Sequence, residues 1–68
     1  MINNFPANLR FLRKKHNFTQ KQLSELVNKK ESTIRMWELG KSEPSMTTLI
    51  KISRVFKVTL DELVEVIE

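Results

Sequence analysis

The chain has 68 residues, 40% of them apolar and 29% charged, with one glycine, no cysteine and a formal net charge of +4, and that length holds one small domain, residues 1–68. Without cysteine there are no disulfides and no thiolate metal sites, so an apolar core, aided by any partner chain, must supply the stability. No stretch is apolar enough to span a bilayer, and the opening MINNFPANLR lacks the basic and continuously apolar segments of an export signal, so the expected location is cytoplasmic with no membrane partner.

The first helix is expected at about 6–16. Pro6 suits a first helical position, Leu9 and Leu12 stand three apart with Phe5 four before Leu9, and Asn17 is a left-handed stop. TQKQ at 19–22 has capping-box spacing: Thr19 accepts from a backbone N–H while Gln22 reaches back. Leu23, Leu26 and Val27 follow at helical spacing, which predicts a short helix at about 20–27 ending at Asn28.

The next segment, 31–39, ends at Gly40, the only glycine and a natural left-handed C-terminal residue. At about 100° per residue, Ile34, Trp37 and Glu38 fall on one side and Glu31, Ser32, Arg35, Met36 and Leu39 on the other. Trp37 and Ile34 are therefore expected in the core. The opposite face, centred on Arg35 and bracketed by Lys30 and Lys41, is polar and basic. Only Asn28, Lys29 and Lys30 separate this helix from the preceding one, the arrangement of a helix-turn-helix whose second helix projects a face.

KSEPS at 41–45 is turn chemistry, and Ser45 caps a helix at about 46–56 carrying Leu49, Ile52 and Phe56 on one stripe with Val55 beside it. TLDE at 59–62 is a second capping box, opening a helix at about 60–67 with Leu60, Leu63, Val64 and Ile67 as its stripe. No alternating pattern competes, so the fold class is all-α with five short helices. Charge is unevenly spread along them. Residues 1–60 hold all twelve Lys and Arg with four acids, a balance of +8, and the last eight residues carry −4. A body this basic suits a polyanion, although simple solubility would explain it as well.

Leu9, Leu12 and Arg13, then TQKQL and Val27, then STI, ELG and Glu43-Pro44-Ser45, then Leu49, Ile52, Phe56, Val58 and TLDEL recur at a joint spacing that runs through all five helices. Over about residues 8–63 the chain resembles the helix-turn-helix domain shared by lambdoid phage repressors, Cro proteins and xenobiotic-response-element-type bacterial regulators. The resemblance implies a compact five-helix repressor-like fold that binds double-stranded DNA, with the third helix in the major groove. It implies base reading by Lys30, Glu31, Ser32, Arg35 and Met36. Arg35 and Lys30 suit guanine and Met36 a thymine methyl; Glu31 either accepts from cytosine N4 or serves the helix dipole or a lysine.

For the DNA backbone, the resemblance implies phosphate contacts from Thr19 and Gln20 at the start of the second helix, and from Lys41 and Ser42 after the third. It also implies an ion pair between Arg13 and Glu38, with Arg13 leaning toward phosphate as well. Relatives of this kind act as homodimers on palindromic sites, with recognition helices about 34 Å apart. Here Leu60, Val64, Val66 and Ile67 are the expected interface, and Phe11 is a further apolar residue off its helix's stripe.

Departures from the family pattern are Lys29 and Lys30 in the turn, Ser24 for the usual alanine, Lys57 for a usual glycine, and Glu43 where basic residues are common. Lys30 leaves the third helix without a side-chain cap, a loss of about 1 kcal/mol unless Ser32 or water takes its place. An enzyme is not expected. His16 is the only histidine, no motif ties a serine nucleophile to it, and there is no phosphate-cradling glycine loop, metal-ligand spacing, cofactor motif or small-molecule signature. The alternative function is a protein-interaction module of the same fold, antitoxin-like or regulator-binding, without sequence-specific DNA binding.

Overall fold

The computed structural model describes residues 4–65, and their regular structure is entirely helical: α1 Phe5–Lys15, α2 Gln20–Leu26, α3 Glu31–Glu38, α4 Met46–Phe56 and α5 Leu60–Val64. Local chemistry opens three of these. Thr19 Oγ1 accepts from Gln22 N–H at 3.0 Å while Thr19 N–H donates to Gln22 Oε1 at 2.8 Å. Thr59 and Glu62 make the same reciprocal pair at 3.1 and 3.0 Å, and Ser45 Oγ accepts from Thr48 N–H at 3.3 Å. α3 follows Lys30, which gives it no side-chain cap.

The first four helices close in one way. A residue with positive φ follows each: Asn17 (61°), Asn28 (57°), Gly40 (75°) and Lys57 (58°). In each, that residue's N–H and the next one's fold back onto the last turn. For α3 these are Gly40 N–H to Trp37 C=O at 3.1 Å and Lys41 N–H to Met36 C=O at 2.9 Å, the paired bonds of a Schellman closure. At Gly40 a side chain would have room, since an added Cβ would lie 3.6 Å from Pro6 Cγ; the dihedral is what favours glycine. Lys57 takes the same conformation without that freedom.

α5 is shorter than the 60–67 that its apolar stripe suggests. It ends at Val64 because Glu65 turns extended, with ψ 162°. Val66 and Ile67, expected in the last turn, lie outside the described residues. The last carbonyls of α5 find their donor on α1: buried Asn8 points Nδ2 at Glu62, Leu63 and Glu65 C=O, at 3.2, 3.0 and 2.6 Å. Asn4 N–H adds a bond to Val64 C=O at 2.8 Å. A helix of five residues has too few internal bonds to stand alone, so this latch and the burial of Leu63 hold it.

The core draws on every helix: Phe5, Leu9 and Leu12 from α1, Leu23 and Val27 from α2 and its end, Ile34 and Trp37 from α3, Ile52 and Phe56 from α4, and Leu63 from α5. Burying each such side chain contributes about 1.5–3 kcal/mol before the entropy of ordering it. α2 packs on α3, α1 on both α3 and α5, and α4 on α5. Phe5 and Trp37 meet edge to face, centroids 6.3 Å apart at 66°, which seats the back of α3 on the start of α1. His16, exposed at the end of α1, rests against Phe18 and Phe56 at 5.9 and 5.1 Å. No helix among the described residues is long and apolar enough to cross a membrane.

Candidate nucleic-acid interface

α3 is amphipathic in the sense the wheel requires. Ile34 and Trp37 are buried at 0% and 3% exposure, while Lys30, Glu31, Ser32, Arg35 and Met36 are all exposed. The five side chains expected to read bases therefore share one solvent-facing surface, running from the uncapped first turn to the middle of the helix. Glu31 makes no ion pair among the described residues, so the lysine-paired role does not describe it here. Lys29 is exposed and leaves the α2–α3 turn regular, with Lys29 N–H bonded to Ser24 C=O at 2.8 Å.

The inward side of α3 carries one charge. Glu38 accepts from Arg13 Nε at 2.6 Å, from Arg13 Nη2 at 3.1 Å and from Gln20 Nε2 at 3.1 Å. Arg13 Nη1 donates in turn to Phe18 C=O at 2.9 Å. The two charged side chains are 11% and 6% exposed, so water screens them little. The Arg13–Glu38 pair thus ties α1, the α1–α2 link, α2 and α3 together beneath the Arg35 face.

This network changes what the expected phosphate ligands can do. Every nitrogen of Arg13 already donates within the protein, so the structure makes Arg13 a brace, with only its remaining terminal N–H hydrogens left for an outside anion. Gln20 donates to Glu38, which leaves one N–H of its amide. Thr19 is committed to its capping box through both oxygen and backbone N–H, and only its hydroxyl hydrogen is free. The side chains of Lys41 and Ser42 are exposed directly after α3.

Between α1, α2 and α3 lies a shallow basin of about 180 Å³, bordered by Arg10, Lys14 and Arg35 and walled by the Arg13–Glu38 pair. Arg10 and Lys14 were absent from the residues inferred for DNA contact. Their spacing of four, which puts both on one face of α1, was the available signal. Of the residues expected at a dimer surface, Leu60 is 36% exposed, but Val64 is half-buried and packs against the core. Phe11 is 52% exposed. No group of His, Asp and Glu among the described residues has the arrangement of a metal site.

A helix-turn-helix family model matches residues 9–63. Over 59 residues the chain is 44% identical to the HTH-type transcriptional activator BcrR of Enterococcus faecalis, covering 87% of this chain but only 29% of that protein. Among solved structures, a transcriptional regulator from Listeria innocua superposes with a TM-score of 0.90 at 29% identity, covering all of this chain and 64% of that one. The restriction-modification controller protein C.AhdI from Aeromonas hydrophila superposes at 0.81 with 25% identity, covering 88% of this chain and 91% of its own. The match begins in α1, takes in the turn between α2 and α3, and ends in α5: the chain belongs to the Cro/C1-type helix-turn-helix family.

Proposed function

We propose that the chain is a sequence-specific double-stranded-DNA-binding transcriptional regulator that seats α3 in the major groove. One observation carries the reading: Trp37 and Ile34 are sealed in the core while Arg35 stands on the opposite, exposed face of a helix braced by Glu38. A major groove about 12 Å wide admits such a helix. In it, Arg35 and Lys30 would donate to guanine, Ser32 would take either role, and Met36, 38% exposed, would meet a thymine methyl. Glu31 selects against positions that bring phosphate or carbonyl oxygen near it, or accepts from cytosine N4. Lys41 and Ser42, together with the remaining N–H of Gln20 and the hydroxyl of Thr19, supply backbone contacts.

The chain spans 29% of BcrR, so what a longer protein would add is left to its other parts. The finer role proposed is that of a repressor acting as a homodimer on a palindromic operator, in the cytoplasm. A domain measuring 27 × 23 × 20 Å suits this, because two abutting copies would reach major grooves about 34 Å apart. Leu60 and Phe11 provide exposed apolar surface for the contact.

Selecting bound duplexes from a random pool gives half-site, symmetry and spacing together. Arg35→Ala is expected to lose about 1–3 kcal/mol of binding and to relax one position of the selected site. Log affinity should fall steeply with log salt. A flat salt response, or indifference to Arg35→Ala, would refute the reading and favour a protein-interaction module of the same fold.

A further inference from the structure

Arg10 and Lys14 project from one face of α1, four residues apart, and meet Arg35 of α3 around the basin between the helices. Charge in that basin is out of balance. Four cations line it with one carboxylate, and the carboxylate is already occupied by Arg13 and Gln20. Arg10, Lys14 and Arg35 are exposed and form no salt bridge among the described residues. Three uncompensated cations around one hollow hold a local positive potential that an anion would relieve.

The position of the hollow says which anion. It shares Arg35 with the base-reading face and lies on the α1 flank of α3. A helix about 10–12 Å across nearly fills a groove about 12 Å wide, so its flanks lie against the sugar–phosphate strands. An acidic peptide would have no reason to sit beside a base-reading face, whereas a phosphodiester strand runs along it.

We propose that Arg10 and Lys14 form a clamp on one backbone phosphate of the duplex that α3 reads, extending the contact beyond the helix-turn-helix onto α1. This rests on the DNA reading above. Because the clamp touches phosphate alone, it adds affinity and fixes the docking angle without choosing bases.

The test uses the duplex that the wild-type chain selects from a random pool, titrated at several salt concentrations. Arg10→Gln/Lys14→Gln is compared with Lys15→Gln, a cation on α1 outside the basin. The double variant should bind more weakly, with the slope of log affinity against log salt reduced by about 0.9, one phosphate's worth. Its selected sequence should stay the same, and its thermal melt should match wild type because both side chains are exposed. Lys15→Gln should leave the slope alone. An unchanged slope in the double variant, an equal loss in Lys15→Gln, or an altered base preference would overturn the clamp. A wild-type chain that binds no duplex would sink the DNA reading itself, and the clamp with it.

Discussion

Glu38→Gln keeps the shape of a buried side chain and removes its charge. Three N–H groups point at this carboxylate, two from Arg13 and one from Gln20, at 2.6, 3.1 and 3.1 Å. Glutamine has one acceptor oxygen and one NH₂, so an amide donor must face a guanidinium donor. Hydrogen bonds to charged groups contribute about 1.5–3 kcal/mol, and removing one partner of a buried pair costs about 3–5 kcal/mol. With the shape and one acceptor retained, a loss of about 2–3 kcal/mol is expected. A domain of this length has about 3–10 kcal/mol in total, so the melting temperature should drop by about 10–20 °C. Urea unfolding and thermal melts followed by circular dichroism measure this directly. A cycle of Arg13→Met, Glu38→Met and the double variant Arg13→Met/Glu38→Met completes the test: in the double variant neither buried charge is left alone, and Gln20, only half-buried, can turn to water, so it should recover much of the loss of the single changes. A melting temperature for Glu38→Gln close to that of wild type, or a double variant as damaged as the two single changes combined, would refute the brace.

Lys57→Gly relieves a left-handed residue at φ 58° and keeps both backbone bonds that close α4. The relief is offset in part by glycine's chain entropy, so a gain of about 0.5–1 kcal/mol is expected as a higher urea midpoint, and a lower midpoint would count against it. Asn8→Ala removes the donor shared by the Glu62, Leu63 and Glu65 carbonyls and should cost about 1–3 kcal/mol, with faster amide exchange in α5; a variant as stable as wild type would show that the latch is idle. The Glu62 carboxyl sits below its usual value because it accepts from Thr59 N–H and, as a smaller contribution, from the Thr59 hydroxyl. Its contribution to folding is therefore present above the ordinary glutamate value and lost as pH falls through the lowered one. Melts from about pH 7 to about pH 3 should fall less steeply for Glu62→Gln than for wild type, and superimposed curves would refute the assignment.

Much of this could be read along the chain because much of it is local. A Thr or Ser with its partner three residues on opens α2, α4 and α5, and Asn17, Asn28 and Gly40 stop the helices before them. These choices are made within one or two turns of backbone, where neighbours in sequence are neighbours in space. Periodicity likewise put Trp37 inside and Arg35 outside, since a helix face is determined by spacing alone.

Other features have no local signal. Nothing in the neighbouring sequence marks Asn8, yet it is buried and serves carbonyls 54 to 57 positions away. α5 ends at Val64, where Glu65 turns extended, although the apolar stripe runs on to Ile67. Arg13 could be named as the partner of Glu38 by resemblance. That every one of its nitrogens is spent inside, that Gln20 joins them, and that Arg10 and Lys14 border the same basin followed only when α1 was laid across α3. Sequence alone determines which side each helix turns inward and where most of them begin and end, because those are energies of adjacent residues; the end of α5 is the exception. Which polar groups meet, and so which cations stay free for a duplex, is decided by how the helices cross, and no run of neighbouring residues encodes that distance.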